Sequence, residues 1–140
     1  MELVEFIVDR VQFPEGTESG SVVYLKEKDG NRELPIVIGL SEAQSIMMAL
    51  QGVKTPRPLT HDLLVDILNA LNLRLKRVVI NDLRENTYYA RIVLWDEEGN
   101  TLYSIDARPS DSIAIALRVK APIFISTFVL KKALYFEGNV

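Results

Sequence analysis

Residues 20–52 read GSVVYLKEKDGNRELPIVIGLSEAQSIMMALQG, and this stretch is the key to the fold because it recurs 69 positions later. The second copy, residues 89–121, reads YARIVLWDEEGNTLYSIDARPSDSIAIALRVKA and aligns with the first without a gap. Each copy shows a strand-like run, a Gly-Asn turn, another strand-like run and a helix start in the same phase. The identical pairs are Leu25 and Leu94, Gly30 and Gly99, Asn31 and Asn100, Ile36 and Ile105, Ser41 and Ser110, and Ile46 and Ile115.

Extended outward, the repeat predicts a single domain over residues 1–140, with a duplicated strand-strand-strand-helix unit at about 1–52 and 70–121. Strands joined by short turns and followed by helices are typical of the α+β class, so we expect a mostly antiparallel or mixed sheet. The predicted strands are Leu3–Phe13, Ser21–Lys26, Glu33–Ile38, Arg74–Leu83, Thr87–Trp95, Thr101–Ala107 and Ile123–Ile125. The predicted helices are Ser41 to Gly52, Thr60 to about Asn72, Ser110 to about Lys120, and a last one through Tyr135.

Hydroxyl residues mark the predicted helix starts. Ser41, Thr60 and Ser110 are expected to be N-caps, and Gln44 completes a capping box with Ser41. His61 lies in the first turn of the middle helix, so we expect it to stay out of the core. The apolar stripe of that helix is expected to face inward and comprises Leu63, Leu64, Ile67, Leu68 and Leu71.

The composition excludes several classes of protein. The chain has 140 residues, of which 48% are hydrophobic and 25% charged, as in an average globular domain. It has no cysteine, which excludes a disulfide framework, a zinc-thiolate site and a cysteine nucleophile. The longest nearly apolar stretch, Ala121–Leu130, is shorter than the roughly 20 residues of a membrane span. The N-terminus lacks the basic region of a signal peptide, so we expect a cytoplasmic protein with no membrane partner.

The net charge of −3 is unevenly distributed along the chain. Residues 1–52 carry nine acidic and four basic side chains, whereas residues 53–140 carry ten acidic and twelve basic ones. An anionic partner would therefore bind the second half. A basic cluster there is either a solvated face or a track for a phosphate backbone, and comprises Arg74, Lys76, Arg77, Arg84 and Arg91. Aromatic strand residues either stack bases or pack the sheet, and these are Tyr88, Tyr89, Trp95 and Tyr103.

Two short segments concentrate the polar chemistry. Arg57–Asp62 reads RPLTHD and holds the single histidine, and Asp106–Asp111 reads DARPSD. Each places an arginine, a hydroxyl residue and an acid at a helix start, where unpaired N–H groups favour anions and the guanidinium adds bidentate phosphate recognition. Asp106 replaces Val37 of the first copy. If buried, this carboxylate needs an arginine partner, or it acts as a metal ligand or general base.

With these segments the sequence resembles the bifunctional nuclease family. The resemblance is carried by R-P-L-T-H-D at Arg57–Asp62, D-A-R-P-S-D-S-I-A-I-A-L at Asp106–Leu117 and I-V-I-G-L-S-E-A-Q-S-I at Ile36–Ile46. It implies hydrolysis of phosphodiester bonds in DNA and RNA, and therefore a nucleic-acid partner. It implies no settled catalytic set, so the roles of single residues are hypotheses from the residue types.

The predicted catalytic residues are His61, Asp62, Asp106 and Asp111. His61 would act as general base or acid, and Asp106 and Asp111 would hold a divalent cation, Mg²⁺ or Mn²⁺ rather than zinc because carboxylates dominate. The predicted substrate-binding residues are Arg57, Arg108, Thr60 and Ser110. The two arginines would hold the phosphate and the charge that develops on it in the transition state.

A non-catalytic module is the alternative interpretation. The same Arg, Asp and His groups would then form a structural ion-pair network, bind a small anion or contact a protein. The net negative charge, the single histidine and the absence of a D-x-D motif favour it. An apolar C-terminal stretch either completes the core or forms an interface, and we expect a homodimer. That stretch comprises Ile123, Phe124, Phe128, Val129, Leu130, Tyr135 and Phe136.

Overall fold

The computed structural model describes residues 2–16 and 20–138, with side chains through Ala133. These ranges form seven strands and four helices, which confirms the predicted α+β class. The strands are β1 Leu3–Gln12, β2 Ser21–Glu27, β3 Glu33–Ile38, β4 Leu73–Arg84, β5 Thr87–Asp96, β6 Thr101–Ala107 and β7 Ile123–Ser126. The helices are α1 Leu40–Gln51, α2 Thr60–Ala70, α3 Pro109–Val119 and α4 Thr127–Gly138.

All seven strands belong to one mixed sheet of order β3-β2-β1-β7-β4-β5-β6. The short strand β7 lies in the middle, antiparallel to β1 and parallel to β4, and the remaining neighbours are antiparallel. Three strands on each side of β7 are followed by a helix, α1 on one side and α3 on the other. The element order therefore repeats, while a duplication as its origin stays a prediction.

One face of the sheet packs against the helices and forms the core. Phe6, Leu25 and Ile80 point from the strands into this core, where they meet Ile46 of α1 and Ile113 of α3. Val129, Leu130 and Ala133 of α4 complete it. The α3 segment is apolar on several faces, and between Pro109 and Ala116 every residue except the half-buried Asp111 is buried, as its sequence predicts. No helix in the described ranges is both long and apolar enough to cross a membrane.

The hydroxyl residues at the helix starts are not N-caps, which corrects the sequence prediction. The N-cap positions are held by Gly39, Leu59 and Arg108, and no side chain caps any of these helices by a hydrogen bond from those positions. Ser41, Thr60 and Ser110 lie one or two residues inside the first turn instead, so the predicted capping box of Ser41 and Gln44 is wrong. In α3, Pro109 occupies the first helical position, which its fixed φ favours.

The middle helix faces the solvent where its sequence predicts a core. Leu63, Leu64, Ile67 and Leu71 of its apolar stripe are 38–63% exposed, so the inward prediction is wrong for them. The buried residue of α2 is His61, only 7% exposed, which overturns the prediction that it avoids the interior. A periodic stripe shows that one face is apolar, but the neighbouring elements decide whether anything covers it.

The C-terminal stretch only partly serves the core. Ile123, Val129 and Leu130 are buried, whereas Phe128 is 52% exposed. The side chains of Tyr135 and Phe136 lie outside the described residues. The homodimer therefore stays a prediction.

Candidate functional site

The first turns of α1, α2 and α3 meet at a pocket of about 360 Å³. Helix α1 follows β3 and α3 follows β6, the two edge strands, so the pocket joins the two halves of the sheet. Its lining comprises Ser41, Glu42, Gln44, Ser45 and Met48 from α1, Leu59, Thr60 and His61 at the start of α2, and Arg108 and Asp111 at the start of α3.

His61 is held on both sides of its ring at the wall of this pocket. Ser45 Oγ lies 2.6 Å from Nδ1, and Asp111 Oδ1 lies 2.9 Å from Nε2. Ser45 and His61 are both buried, and Asp111 is partly buried. The three side chains come from three helices and form a continuous hydrogen-bonded chain from hydroxyl to imidazole to carboxylate.

Arg108 stands at the mouth of the pocket and contacts two carboxylates. Its Nε and Nη2 donate to Oδ2 and Oδ1 of Asp111 at 2.8 and 3.1 Å, and its Nη1 donates to Glu42 Oε1 at 3.0 Å. Burial opposes the charge on Asp111, but hydrogen bonds from Arg108 and His61 outweigh it, so the pKa of that carboxyl lies below its ordinary value. Asp111 is therefore an ionised acceptor, and the exposed Arg108 presents the positive charge outward.

Behind the pocket, Asp62 and Arg118 form a second ion pair. Arg118 Nε donates to Asp62 Oδ1 at 2.7 Å, and the arginine side chain is only 11% exposed. Arg118 Nη1 also reaches the carbonyl oxygens of Ser45 and Ala114. The backbone N–H of Leu59 donates to Asp62 Oδ2 at 2.9 Å. The pKa of Asp62 lies below its ordinary value, mainly because of the hydrogen bond from Arg118 and secondly because of the one from the Leu59 N–H. This pair ties α2 to α3 and fixes the turn that carries His61.

The structure brings some of the predicted site residues together and leaves others apart. His61, Asp111, Arg108 and Thr60 line the pocket, and Asp62 supports it from behind. Ser110 is buried in the first turn of α3, and Arg57 is exposed outside the pocket lining. Asp106 lies in β6 opposite Arg91 of β5, and its side chain is exposed. Asp106 is therefore not buried, so the condition under which it would need a partner is not met, and its catalytic role stays a prediction.

Three residues of the site were missed by sequence reasoning. Glu42 could have been found, because it occupies the position of Asp111 in the repeat. Ser45 and Arg118 carry no local signal: Ser45 looks like an ordinary helix residue, and Arg118 like a basic residue that suits a helix end. Their partners lie 16 and 56 residues away in the sequence, so only the packing of the helices identifies them.

The residues around Asp106 and Asp111 do not by themselves form a cation site. Both oxygens of Asp111 accept hydrogen bonds from Arg108 and His61. Within residues 2–16 and 20–138, no group of three His, Asp or Glu side chains is placed to hold a metal ion. Mg²⁺ is often bound by one or two carboxylates together with substrate phosphates. The predicted cation thus stays a prediction, and no catalytic step is assigned to it.

A second polar region, the basic face, lies on the side of β4 and β5 that faces away from the helices. We define the basic face by Arg74, Lys76, Arg77, Arg84 and Arg91. Two of its cations lie over aromatic rings, Lys76 Nζ at 5.4 Å from Trp95 and Arg84 Cζ at 4.8 Å from Tyr89. Tyr88 instead packs against the core, as strand alternation requires.

A depression of about 540 Å³ lies within the basic face, lined in part by Arg77, Asn81, Arg91 and Ser104. Asn81 Oδ1 is buried there without a hydrogen-bond partner among the described residues. Strand β6 ends at Ala107, and Arg108 follows it directly in the sequence.

The fold and the pocket define an α+β protein in which a serine, a histidine and an aspartate are hydrogen-bonded in a chain at the helix starts. The family model of the bifunctional nuclease domain matches residues 23–137, a span that begins within β2, ends within α4 and contains all three helices of the pocket. The chain belongs to the bifunctional nuclease domain family, as its sequence motifs predict.

Three relatives are each similar to most of this chain. An uncharacterized protein of Mycobacterium tuberculosis is 47% identical over 124 residues, which cover 89% of this chain and 71% of the relative. Bifunctional nuclease 1 of Oryza sativa subsp. indica is 30% identical over 107 residues, covering 74% of this chain and 32% of the relative. Bifunctional nuclease 2 of Arabidopsis thaliana is 28% identical over 111 residues, which cover 78% of this chain and 34% of the relative. The chain thus spans about a third of the plant relatives' length.

Proposed function

We propose that this protein hydrolyses phosphodiester bonds of DNA and RNA in the pocket at the helix starts. The observation that carries the proposal is the chain of Ser45, His61 and Asp111 beside the outward-facing Arg108. The family and the plant nucleases supply the substrate class, and the pocket supplies the groups that this reaction needs.

His61 acts as the proton carrier of the reaction. The ionised Asp111 accepts from Nε2–H, which leaves Nδ1 as the basic nitrogen of the neutral ring. When the ring takes up a proton at Nδ1, the adjacent carboxylate stabilises the imidazolium. The ring then returns the proton to the leaving oxygen, as general acid–base catalysis requires.

Arg108 binds the phosphate. Its guanidinium remains charged, because the nearby carboxylates raise the pKa of Arg108 above its ordinary value. Asp111 has the larger influence and Glu42 the smaller. Its side chain is 63% exposed at the mouth of the pocket, so a phosphate can reach it from solvent. Fixed cationic donors stabilise the charge that develops on a transferring phosphoryl group.

The basic face binds the rest of the nucleic acid. Its cations neutralise backbone phosphates, and Trp95 and Tyr89 offer rings for unpaired bases. Both single-stranded DNA and RNA have these features, which suits a protein that acts on either polymer. Strand β6 is the neighbour of β5 at the edge of the sheet and leads into Arg108, so a nucleic acid bound on β4 and β5 would pass around this edge to reach the pocket.

One observation favours the non-catalytic alternative. Arg108 is already paired with both Glu42 and Asp111, as it would be in a purely structural ion-pair network. In that case the pocket stabilises the junction of the helices and at most binds a small anion. Arg108 and the two carboxylates would then matter for stability and not for turnover.

The test is cleavage of plasmid DNA and of a structured RNA by purified protein, in Mg²⁺, in Mn²⁺ and in EDTA. His61→Ala should lose cleavage, by roughly the 10²–10⁴-fold of general acid–base catalysis. Gln44→Ala is the matched control, since Gln44 lines the same pocket from an exposed position outside the hydrogen-bonded chain. Equal cleavage by the wild type, His61→Ala and Gln44→Ala would reject this pocket as the catalytic site. No cleavage by the wild type would favour the non-catalytic alternative.

A further inference from the structure

Both ring nitrogens of His61 are engaged, and this limits what the ring can activate. Nε2 is directed to Asp111 at 2.9 Å and Nδ1 to Ser45 at 2.6 Å. A water molecule that reacts through His61 would first have to displace one of these partners. The hydroxyl of Ser45 is already in place, so it is the group from which His61 takes a proton most directly.

The charge on Asp111 fixes the direction of every hydrogen bond in the chain. An ionised carboxylate only accepts, so Nε2 must carry the hydrogen. In the neutral ring Nδ1 then has a lone pair, and the hydrogen between Ser45 and His61 belongs to Oγ. The resulting order of donors runs from Ser45 through His61 to Asp111.

This order is that of a nucleophile, a base and an orienting carboxylate. The same constellation recurs on unrelated folds and is recognised by geometry and roles. Here the ring is reversed relative to the serine proteases, since the hydroxyl faces Nδ1 and the carboxylate faces Nε2. A helical serine often bonds the carbonyl four residues earlier, but Ser45 directs its hydroxyl to His61 and lines the pocket.

We propose that Ser45 is the nucleophile of the pocket and forms a phosphoseryl intermediate, an inference that rests on the phosphodiesterase activity proposed above. Ser45 Oγ attacks phosphorus and its proton passes to His61 Nδ1. The bond from phosphorus to the leaving sugar oxygen breaks, and that oxygen takes the proton from Nδ1.

A second displacement then releases the enzyme. A water molecule gives a proton to His61 Nδ1, and its oxygen attacks phosphorus. The bond from Ser45 Oγ to phosphorus breaks, and Oγ takes the proton back from Nδ1. The sum is the addition of one water across one phosphodiester bond. Dividing one displacement into two easier ones is the general advantage of covalent catalysis.

The first experiment tests the nucleophile without relying on nuclease activity. The protein is treated with diisopropyl fluorophosphate, whose P–F bond breaks as the bond from Oγ to phosphorus forms, and the adduct is located by peptide mass spectrometry. We expect a single adduct on Ser45, formed at least about 10²-fold more slowly in His61→Ala. Ser41→Ala is the matched control, because Ser41 lines the same pocket on the same helix, whereas the hydroxyl bonded to His61 is that of Ser45.

Ser45→Ala and Ser45→Thr complete the set, with circular dichroism and thermal unfolding as the check that each variant folds. Ser45→Ala should lose the adduct, and Ser45→Thr should retain a slower one because it keeps the hydroxyl. A wild-type protein without an adduct, or with one on Ser41, would overturn the proposal.

The second experiment follows the stereochemistry at phosphorus in a chiral phosphorothioate dinucleotide. Two in-line displacements give net retention, whereas direct attack by water gives inversion. Inversion would overturn the Ser45 nucleophile and leave the nuclease standing. Labelling of Ser45 in a protein that cleaves no nucleic acid would instead reject the proposed function and leave a reactive serine to explain.

Discussion

In the pocket, Arg108 contacts two carboxylates and His61 is hydrogen-bonded through both ring nitrogens. On the basic face, by contrast, Arg74, Lys76 and Arg77 form no ion pair with any residue that the structure describes. The pocket groups are held in fixed positions and partly removed from water, where electrostatic interactions are strong. Arg74, Lys76 and Arg84 of the basic face are exposed to solvent, which screens their charges, whereas Arg77 and Arg91 are half-buried. Pocket variants should therefore change the rate or the stability, and basic-face variants should change binding.

The largest effect is expected for Asp111→Asn. An amide no longer fixes the Nε2–H tautomer or stabilises the imidazolium, so kcat should fall by roughly 10²–10⁴ with little change in KM. Steady-state cleavage of a fluorogenic oligonucleotide measures both constants. Asp106→Asn is the comparison, because Asp106 lies at the end of the basic face outside the pocket lining. An equal loss in Asp106→Asn would favour the cation site predicted from the sequence over the pocket mechanism.

The next effect concerns stability and separates buried from exposed ion pairs. Arg118→Ala removes a nearly buried guanidinium that serves Asp62 and two backbone carbonyls, so the free energy of unfolding should fall by about 2–3 kcal/mol. Arg84 pairs with Asp82 at the surface, and Arg84→Ala should cost less than about 1 kcal/mol. Urea denaturation measures both variants, and equal losses would contradict the assignment of Arg118 as a structural tie.

A smaller effect is expected on nucleic-acid binding. The double variant Lys76→Ala, Arg77→Ala removes two cations of the basic face. The slope of log affinity against log salt concentration should become shallower by about 1.4, or 0.7 for each lost contact with a single strand. Fluorescence anisotropy with an oligonucleotide at several salt concentrations gives the slope, and kcat should stay unchanged. Lys26→Ala, in the other half of the sheet, is the control, and an unchanged slope in the double variant would exclude this face as the binding track.

The smallest effect is the pH dependence of stability at Asp62. Arg118 and the Leu59 N–H lower the pKa of Asp62. The contribution of the Asp62 carboxylate to the free energy of unfolding is therefore fully present above the pKa of about 3.9 that an aspartate has in an unfolded chain. That contribution is lost as the pH falls through the folded pKa, because the unfolded chain then binds more protons. Asp62→Asn should therefore be less stable than the wild type at pH 7, and the difference should narrow towards pH 2. A difference independent of pH would show that the charge of Asp62 is not what matters.

Local patterns in the sequence predict the elements well. Alternating apolar residues and Gly-Asn turns predict the strand from Thr101 to Ala107 and the one from Glu33 to Ile38 with their observed bounds. The all-round apolar segment after Pro109 predicts a buried helix, which the structure confirms. These features depend on neighbours a few residues apart, so periodicity and turn chemistry suffice to predict them.

The same patterns fail where burial depends on distant elements. The position of His61 at a helix start predicts a surface residue, yet the starts of α1 and α3 enclose it. The helical stripe predicts that Ile67 and Leu71 face inward, yet both are exposed. Neither outcome can be predicted from residues that are neighbours in the sequence.

Sequence alone was sufficient to predict the α+β class, the order of strands and helices along the chain, and the family. It also predicted four of the residues that line the pocket, Thr60, His61, Arg108 and Asp111. The packing of the helices was needed to show that Ser45 completes a hydrogen-bonded chain with His61 and Asp111, that Glu42 shares Arg108, and that Arg118 supports Asp62. The physical reason is that propensity and periodicity act over one or two turns. A hydrogen bond between helical residues 16 to 66 positions apart depends on how the sheet brings the first turns of those helices together.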